Sequence, residues 1–201
     1  MSGRVLLDCD GVLLDYTSGL RPFANRRFGL DLNPEGPCAF DMEVWTGLTR
    51  AEIRTLVNEF NSGEDTGFGA LRPMPGAVEG VKRLLEAGYS LQVLSSADAG
   101  GASIRSRELN LEHVFGNVFS DVTLIGLGVS KKDILSRFSP CDWVDDHIPN
   151  AIAGLEVGHR AHVIRQSHNR LLEGTLSHRL LWSADLAEVH ERIRPEPALT
   201  L

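Results

Sequence analysis

Val5-Leu6-Leu7 runs directly into Asp8-Cys9-Asp10-Gly11-Val12. A short apolar run without polar interruption is the pattern of a strand covered on both faces, as in parallel sheets flanked by helices. Gly11 ends the run. The two carboxylates therefore fall at the strand's C-terminal edge, where open α/β sheets bind their ligands. Two acids one residue apart repel each other unless a cation or a shared proton lies between them. The competing reading is a plain turn made of two aspartates and a glycine.

The remainder of the chain supplies the elements such a sheet needs. The first strand is predicted over residues 4–9 and a helix over 17–29, followed by a loop rich in Gly, Pro, Asp and Asn from Gly29 to Gly47. Thr49-Arg50-Ala51-Glu52 has the form of a capping box and opens a helix over 50–61. A Gly-rich stretch, Ser62 to Gly69, leads to the strong punctuation of Arg72-Pro73-Met74-Pro75-Gly76. The helix predicted next, 77–87, places Val78, Val81, Leu84 and Leu85 on one face, with Gly88 at its C-terminal cap. Strands are then expected at 91–94, ending in Ser95-Ser96, at 118–119, at 143–144, ending in Asp145-Asp146, and at 161–164. Helices are expected at 101–109, 131–138, 149–156 and 184–193, and residues 166–182 show no legible pattern. Strands alternate with helices in residues 1–15 and again from about 74, which predicts an α/β fold: a three-layer, Rossmann-like parallel sheet with helices on both faces. Residues 16–73 interrupt the alternation. They are expected to form a small helical cap over Asp8 and Asp10, with 1–15 and 74–201 as the core domain.

Four strand ends or adjoining turns carry polar groups: Asp8 and Asp10, Ser95 and Ser96, Lys131 and Lys132, Asp145 and Asp146. In a parallel sheet these ends lie side by side. Three or four carboxylates suit a hard, oxygen-ligated cation, and Mg2+ fits best. A serine hydroxyl, backbone N–H groups and a lysine suit the oxygens of a phosphoryl group. One aspartate could attack phosphorus to give an aspartyl-phosphate, and the other could protonate the leaving oxygen and later activate water. Each group also has a plain structural reading. The serines could cap a turn, Lys131 could be a surface lysine, and Asp145-Asp146 could cap the helix ahead of Pro149. The lysine choice is narrow, since the chain has only Lys82, Lys131 and Lys132. Lys82 falls within a predicted helix, where a solvated position is expected.

The order of these groups resembles the haloacid dehalogenase superfamily of phosphatases: Asp-x-Asp-Gly-Val, an apolar strand then Ser, then Lys, and an apolar strand then Asp-Asp. Pro73-Met74-Pro75-Gly76 looks like that family's return from cap to core. The segment from Asp10 to Tyr16, and the size of the insert, are similar to the 5′(3′)-deoxyribonucleotidase branch. The resemblance implies a HAD-like core and a Mg2+-dependent phosphomonoesterase acting on a small phosphorylated metabolite, the narrower class being nucleoside monophosphates. Asp8 matches the nucleophile and a metal ligand. Asp10 matches the general acid/base, with its carbonyl on the metal. Ser95, with Ser96 as the alternative, matches the phosphoryl-binding hydroxyl. Lys131 matches the phosphoryl-binding lysine better than Lys132. Asp146 matches the metal ligand, and Asp145 is expected to support it from behind. The acid at Asp10 argues against dehalogenation, and the lysine-free insert against a Schiff-base phosphonatase. A phosphomutase, or a HAD-fold binding protein without activity, remains the alternative.

The net charge of −7 and the absence of a basic tract exclude a general nucleic-acid binder. Cys9, Cys38 and Cys141 are too scattered for a zinc ribbon or a disulfide framework. With no apolar span and no signal-peptide plan, a cytoplasmic protein without nucleic-acid or membrane partners is expected. Phe23, Phe40, Trp45 and Phe68 in the insert are expected mainly as that lobe's own core, with a floor for a base or sugar as the alternative. Arg26 and Arg27 are expected on a solvated helix face, with contact to an anion as the alternative. His147 is a candidate neighbour of the site. His159, His162, His168, His178 and His190 have no ligand-like spacing.

Overall fold

In a computed structural model of the chain, which describes residues 3–62, 67–97 and 101–193, six parallel strands form one sheet. They are β1 (Arg4–Leu7), β2 (Ser90–Ser96), β3 (Phe119–Ile125), β4 (Asp142–Asp145), β5 (Arg160–Ile164) and β6 (Leu181–Ser183). Their spatial order is β3-β2-β1-β4-β5-β6. The chain therefore builds outward in one direction from β1 to β3, then returns to the other side of β1 for β4. The crevice at this reversal is where such sheets take their ligands, and β1, with its aspartates, sits on it.

Among the described residues eight α-helices accompany the strands: α1 (Tyr16–Phe28), α2 (Met42–Thr46), α3 (Arg50–Asn61), α4 (Ala77–Glu86), α5 (Gly101–Phe115), α6 (Lys131–Leu135), α7 (Ile148–Glu156) and α8 (Leu186–Arg192). Alternate residues of β1 point into two different apolar cores. Leu6 joins Trp143, Ala161 and Val163 beneath α6 and α7. Val5 and Leu7 join Val81 and Leu84 of α4, Leu111 of α5, and Leu186 and Val189 of α8. Both faces of the sheet are thus covered, as the unbroken apolar run requires.

Several elements depart from the sequence expectation. Helix α5 runs six residues beyond the helix expected at 101–109, and α6 stops three residues short of 138. The strand expected at 118–119 is seven residues long, and β6 lies in the segment without a legible pattern. Both are edge strands of the sheet: β3 is partly exposed along most of its length and needs no continuous apolar run, and β6 is only three residues long, too short to show a pattern. The short α2 lies inside a stretch read as loop; Asp41 caps it, accepting from Glu43 N at 2.8 Å. Val78 is exposed rather than buried, and Ala77, Gly80, Val81 and Leu84 form the inner face of α4. Within the Gly-rich stretch, residues 63–66 lie outside the described residues.

Helices α1 to α3 occupy the predicted interruption. The two chain segments that lead into and out of it are hydrogen-bonded to each other, Asp15 N to Arg72 O at 2.8 Å and Met74 N to Leu13 O at 2.9 Å. The capping box at α3 forms as read, with Thr49 N donating to Glu52 Oε2 at 2.8 Å and Glu52 N to Thr49 Oγ1 at 3.4 Å. Leu20, Ala24, Leu56 and Phe60 of these helices share one apolar cluster with Val5, Leu7 and Leu14. No helix among the described residues is long and apolar enough to cross a membrane.

At the opposite end of the strands from the aspartates, Asp142 is buried and takes two bonds of 2.6 Å from Arg160 and one of 2.8 Å from His162 Nε2. Burial alone would raise the Asp142 carboxyl, but His162 and Arg160 hold it below the usual carboxylate range. This contribution to stability is complete above the ordinary carboxylate pKa and is lost as pH falls through the depressed folded value. Asp142→Asn is expected to cost about 2 kcal/mol in chemical denaturation at neutral pH. The deficit should narrow as the wild type is titrated toward acid.

Candidate active site

Asp8 follows β1 directly, and its N–H bonds Val144 O of β4 at 2.8 Å, so it lies level with Asp145 at the end of the adjacent strand. Asp146 is the next residue. Asp8, Asp145 and Asp146 are all buried, and each presents a carboxylate oxygen within 4.8 Å of the others. Lys131, the first residue of α6, is also buried and places its ammonium between two of them, 2.8 Å from Asp8 Oδ1 and 2.9 Å from Asp145 Oδ2. Lys132 points away to Glu156 at 2.7 Å, and Lys82 is exposed beside Glu86. Of the three lysines, only Lys131 meets the carboxylates.

The acids divide by what already holds them. Asp145 is engaged at both oxygens, by Lys131 and by the N–H of His147 at 2.7 Å. It therefore fixes the lysine and the following turn. The Asp146 carboxylate instead has His168 Nε2 at 3.6 Å. Burial pushes the Asp145 carboxyl up to about 7 against the pull of Lys131, with Asp8 adding to the rise. Burial, then Asp145 and Asp8, push Asp146 well above the ordinary range. Burial opposes the charge on Lys131, but Asp145 and Asp8 overcome it and raise the ammonium's pKa.

Such a cluster of like charges asks for a cation. The donor set is all hard oxygen and matches Mg2+ rather than a soft metal. Gly11 supports the fit: its φ is +75°, and a methyl group built there would overlap Asp146 Oδ2, so the bare glycine lets this carboxylate approach the first loop.

Asp10 projects from that loop with a partly exposed side chain and lines a cleft of about 750 Å³ together with Asp8, Ser95, Ser96, Lys131 and Asp146. Ser95 is buried and Ser96 half-buried at the end of β2. The insert contributes Tyr16, Phe40, Trp45, Asn61 and Phe68 to the same cleft. Phe23 packs on Phe60 as lobe core, but Phe40 is exposed and stacks on His147 at 3.6 Å between ring centroids. Arg27 pairs with Glu59 on the surface.

The sequence reading missed several residues. Arg107 of α5 is fully buried and bonds Asp10 through Nη2, at 2.6 and 2.8 Å to the two carboxylate oxygens. Asn169, Gln166 and His168 come from the segment without legible pattern. Asn169 Nδ2 ties Asp146 O at 2.7 Å to Ile164 O at 2.8 Å. Gln166 Nε2 holds Gly11 O at 2.7 Å, and His168 stands beside Asp146 although its spacing gave no sign of a site role. A polar residue in a loop between two strands carries no periodic signal, so the sequence offered none for these three. The remaining histidines behave differently: His159 is buried near Cys141, and His162 sits with Asp142 away from the cleft.

A model of the family described as 5′ nucleotidase, deoxy (pyrimidine), cytosolic type C protein matches residues 3–125. Solved structures share the fold across almost the whole chain. A haloacid dehalogenase-like hydrolase from Streptococcus pneumoniae superposes with a TM-score of 0.70 at 13% identity, covering 95% of this chain and 98% of its own. A phosphoglycolate phosphatase, so described provisionally, from Lactobacillus delbrueckii subsp. bulgaricus gives 0.67 at 15% identity, covering 98% and 100%. A D,D-heptose 1,7-bisphosphate phosphatase from B. bronchiseptica, complexed with magnesium and phosphate, gives 0.59 at 16% identity, covering 94% and 97%. No curated protein sequence matches the chain.

Proposed function

The chain belongs to the cytosolic type C 5′-nucleotidase (deoxy, pyrimidine) family within the haloacid dehalogenase superfamily, and from that membership and the site's geometry we propose a Mg2+-dependent phosphomonoesterase working through a phospho-aspartate. The observation that carries the proposal is the meeting of Asp8, Asp145 and Asp146 within 4.8 Å, with Lys131 bonded between two of them, on the cleft at the sheet's reversal point. Residues 16–73 serve as a cap on a core made of 1–15 and 74–201.

Asp8, the Asp10 carbonyl and Asp146 would hold the cation. When bound, Mg2+ supplies neutralising charge to the phosphoryl oxygens and to the carboxylates around them. Lys131 neutralises phosphoryl charge as well, and the Ser95 hydroxyl, with Ser96 beside it, donates to a phosphoryl oxygen. Asp8 attacks phosphorus as the bond to the ester oxygen breaks, and Asp10 gives its proton to that departing oxygen. Asp10, now a carboxylate, takes a proton from the water that attacks the same phosphorus. The Asp8–phosphorus bond breaks, and inorganic phosphate leaves.

The cleft is larger than a phosphate requires, and Tyr16, Phe40 and Trp45 line its walls. A nucleoside monophosphate suits both the room and the aromatic lining, in keeping with the matched family's description. The test is hydrolysis of p-nitrophenyl phosphate and of a panel of pyrimidine deoxynucleoside 5′-monophosphates by the purified protein. Turnover should need Mg2+, disappear with EDTA and return when Mg2+ is restored. Hydrolysis unaffected by EDTA would overturn the metal assignment. No release of phosphate from any ester would favour a binding protein.

A further inference from the structure

Arg107 lies behind the loop that carries Asp10, on an α5 face unlike that of an ordinary core helix. The buried residues of this helix are Ser103, Ser106, Arg107, Asn110 and Leu111, a helical stripe that is polar except for its last member. A fully buried arginine is costly unless charge and hydrogen bonds answer it. Here three contacts fix the guanidinium. Nη2 bonds both oxygens of Asp10, Nη1 lies 3.2 Å from Cys9 Sγ, and the plane rests over the Phe68 ring with Cζ 3.7 Å from its centroid. Phe68 is itself buried, and Asn110 Nδ2 anchors the same helix to Leu71 O at 3.1 Å. The Arg107 side chain has no exposed surface and is not part of the cleft wall, whereas Asp10 is part of it.

We propose that Arg107 is a positioning residue that holds the Asp10 carboxyl group in the orientation from which it transfers a proton to the leaving oxygen. The inference rests on the reading of Asp10 as the acid/base. A single nitrogen bridging both oxygens restrains the rotation of a carboxyl group that lines the cleft. The aromatic platform and the thiol fix the guanidinium in turn, so the orientation is set by the fold before substrate arrives. Proton transfer depends steeply on such placement. Phe68 comes from the insert and α5 from the sheet side, so the arrangement also makes the acid's placement depend on how the insert packs.

The test compares aryl phosphates of nearly equal size whose leaving groups differ in basicity, phenyl phosphate and p-nitrophenyl phosphate, in the presence of Mg2+. Nitrophenolate departs without a proton, and phenolate needs one. In Arg107→Met the ratio of kcat/KM for phenyl phosphate to that for p-nitrophenyl phosphate should fall on the order of 10-fold. Phosphoenzyme should accumulate on acid quench, because the same carboxylate serves its hydrolysis. Phe68→Leu, which removes the platform without touching Asp10, should lower the ratio by a smaller factor, and Arg107→Lys should recover part of it. If Arg107→Met does not fold, the Phe68→Leu and Arg107→Lys ratios decide. Equal losses on both esters, leaving the ratio at the wild-type value, would show a structural role only and overturn the proposal. Asp10→Asn separates the two layers. A lowered ratio in Asp10→Asn with an unchanged one in the Arg107 and Phe68 variants would sink the positioning role alone. An unchanged ratio in Asp10→Asn would sink the acid assignment beneath it.

Discussion

Asp8→Asn is expected to lower kcat for phosphate-ester hydrolysis by on the order of 10⁴-fold or more, the scale on which a covalent nucleophile's removal is felt. The geometry says why so small a change should be so large. Asp8 Oδ1 accepts the Cys9 N–H at 2.7 Å and meets the Lys131 ammonium at 2.8 Å. Those two contacts orient the carboxylate. Asparagine keeps the shape but loses the negative charge, and an amide is a poor nucleophile. The same change removes one acid from a group of three whose oxygens lie within 4.8 Å, so it relieves repulsion as it deprives Lys131 of a partner. Thermal stability should therefore stay near that of the wild type, and the loss will read as chemistry rather than unfolding. The measurement is steady-state turnover of p-nitrophenyl phosphate with saturating Mg2+, together with acid-quench mass spectrometry for a phosphoryl adduct. Asp10→Asn should form the adduct slowly and retain it, and Asp8→Asn should form none. Full activity in Asp8→Asn would end the phospho-aspartate reading.

What could be read in advance follows from how each feature writes itself into a sequence. β1 is covered on both faces, so it must be an apolar run, and the acids at its end stand out against it. The serines closing β2 and the acids closing β4 follow short runs of the same kind. Thr49 and Glu52 signal a helix start because the capping bonds require those side chains at that spacing. The edge strands gave weaker signals, β3 because a partly exposed strand needs no continuous apolar pattern and β6 because three residues are too few to show one. Arg107 gave none. It lies in the right helix, but its partners Cys9, Asp10 and Phe68 are distant in sequence, and nothing in the local pattern separates it from Arg105, which shares the helix. His168, Asn169 and Gln166 were hidden for the same reason. They stabilise the site through loop carbonyls, and a contact to a backbone oxygen places no demand on the identity of the residue contacted. The main motif residues were thus legible, and the groups that hold Asp10, Gly11 and Asp146 in place were not.

Lys131→Met is expected to damage both stability and catalysis, and to do so in a way that Mg2+ partly reverses. The ammonium is buried with Asp8 at 2.8 Å and Asp145 at 2.9 Å, and Trp143 lies beneath it with its ring centroid 5.1 Å away. Methionine fills nearly the same volume, so the cavity left is small and the loss is electrostatic. Without the lysine, three buried carboxylates face one another with no fixed cation. Breaking a buried ion pair from one side costs about 3–5 kcal/mol, and here one cation serves two acids. In metal-free buffer the folded protein should therefore lose about that much in urea denaturation. Mg2+ bound at the carboxylates should return part of the loss through linkage, and the wild type, in which Lys131 already answers Asp8 and Asp145, should gain less. Catalysis should not return with stability. A bound phosphoryl group would lack the cation that Lys131 supplies, and removing one such donor costs about 10² to 10³-fold in kcat. The informative result is the separation of the two effects: Mg2+ restores the urea midpoint of Lys131→Met, but turnover of p-nitrophenyl phosphate stays low. If Mg2+ restored both together, the lysine would be a structural counter-ion only, and phosphoryl binding would have to be assigned elsewhere on the cleft wall.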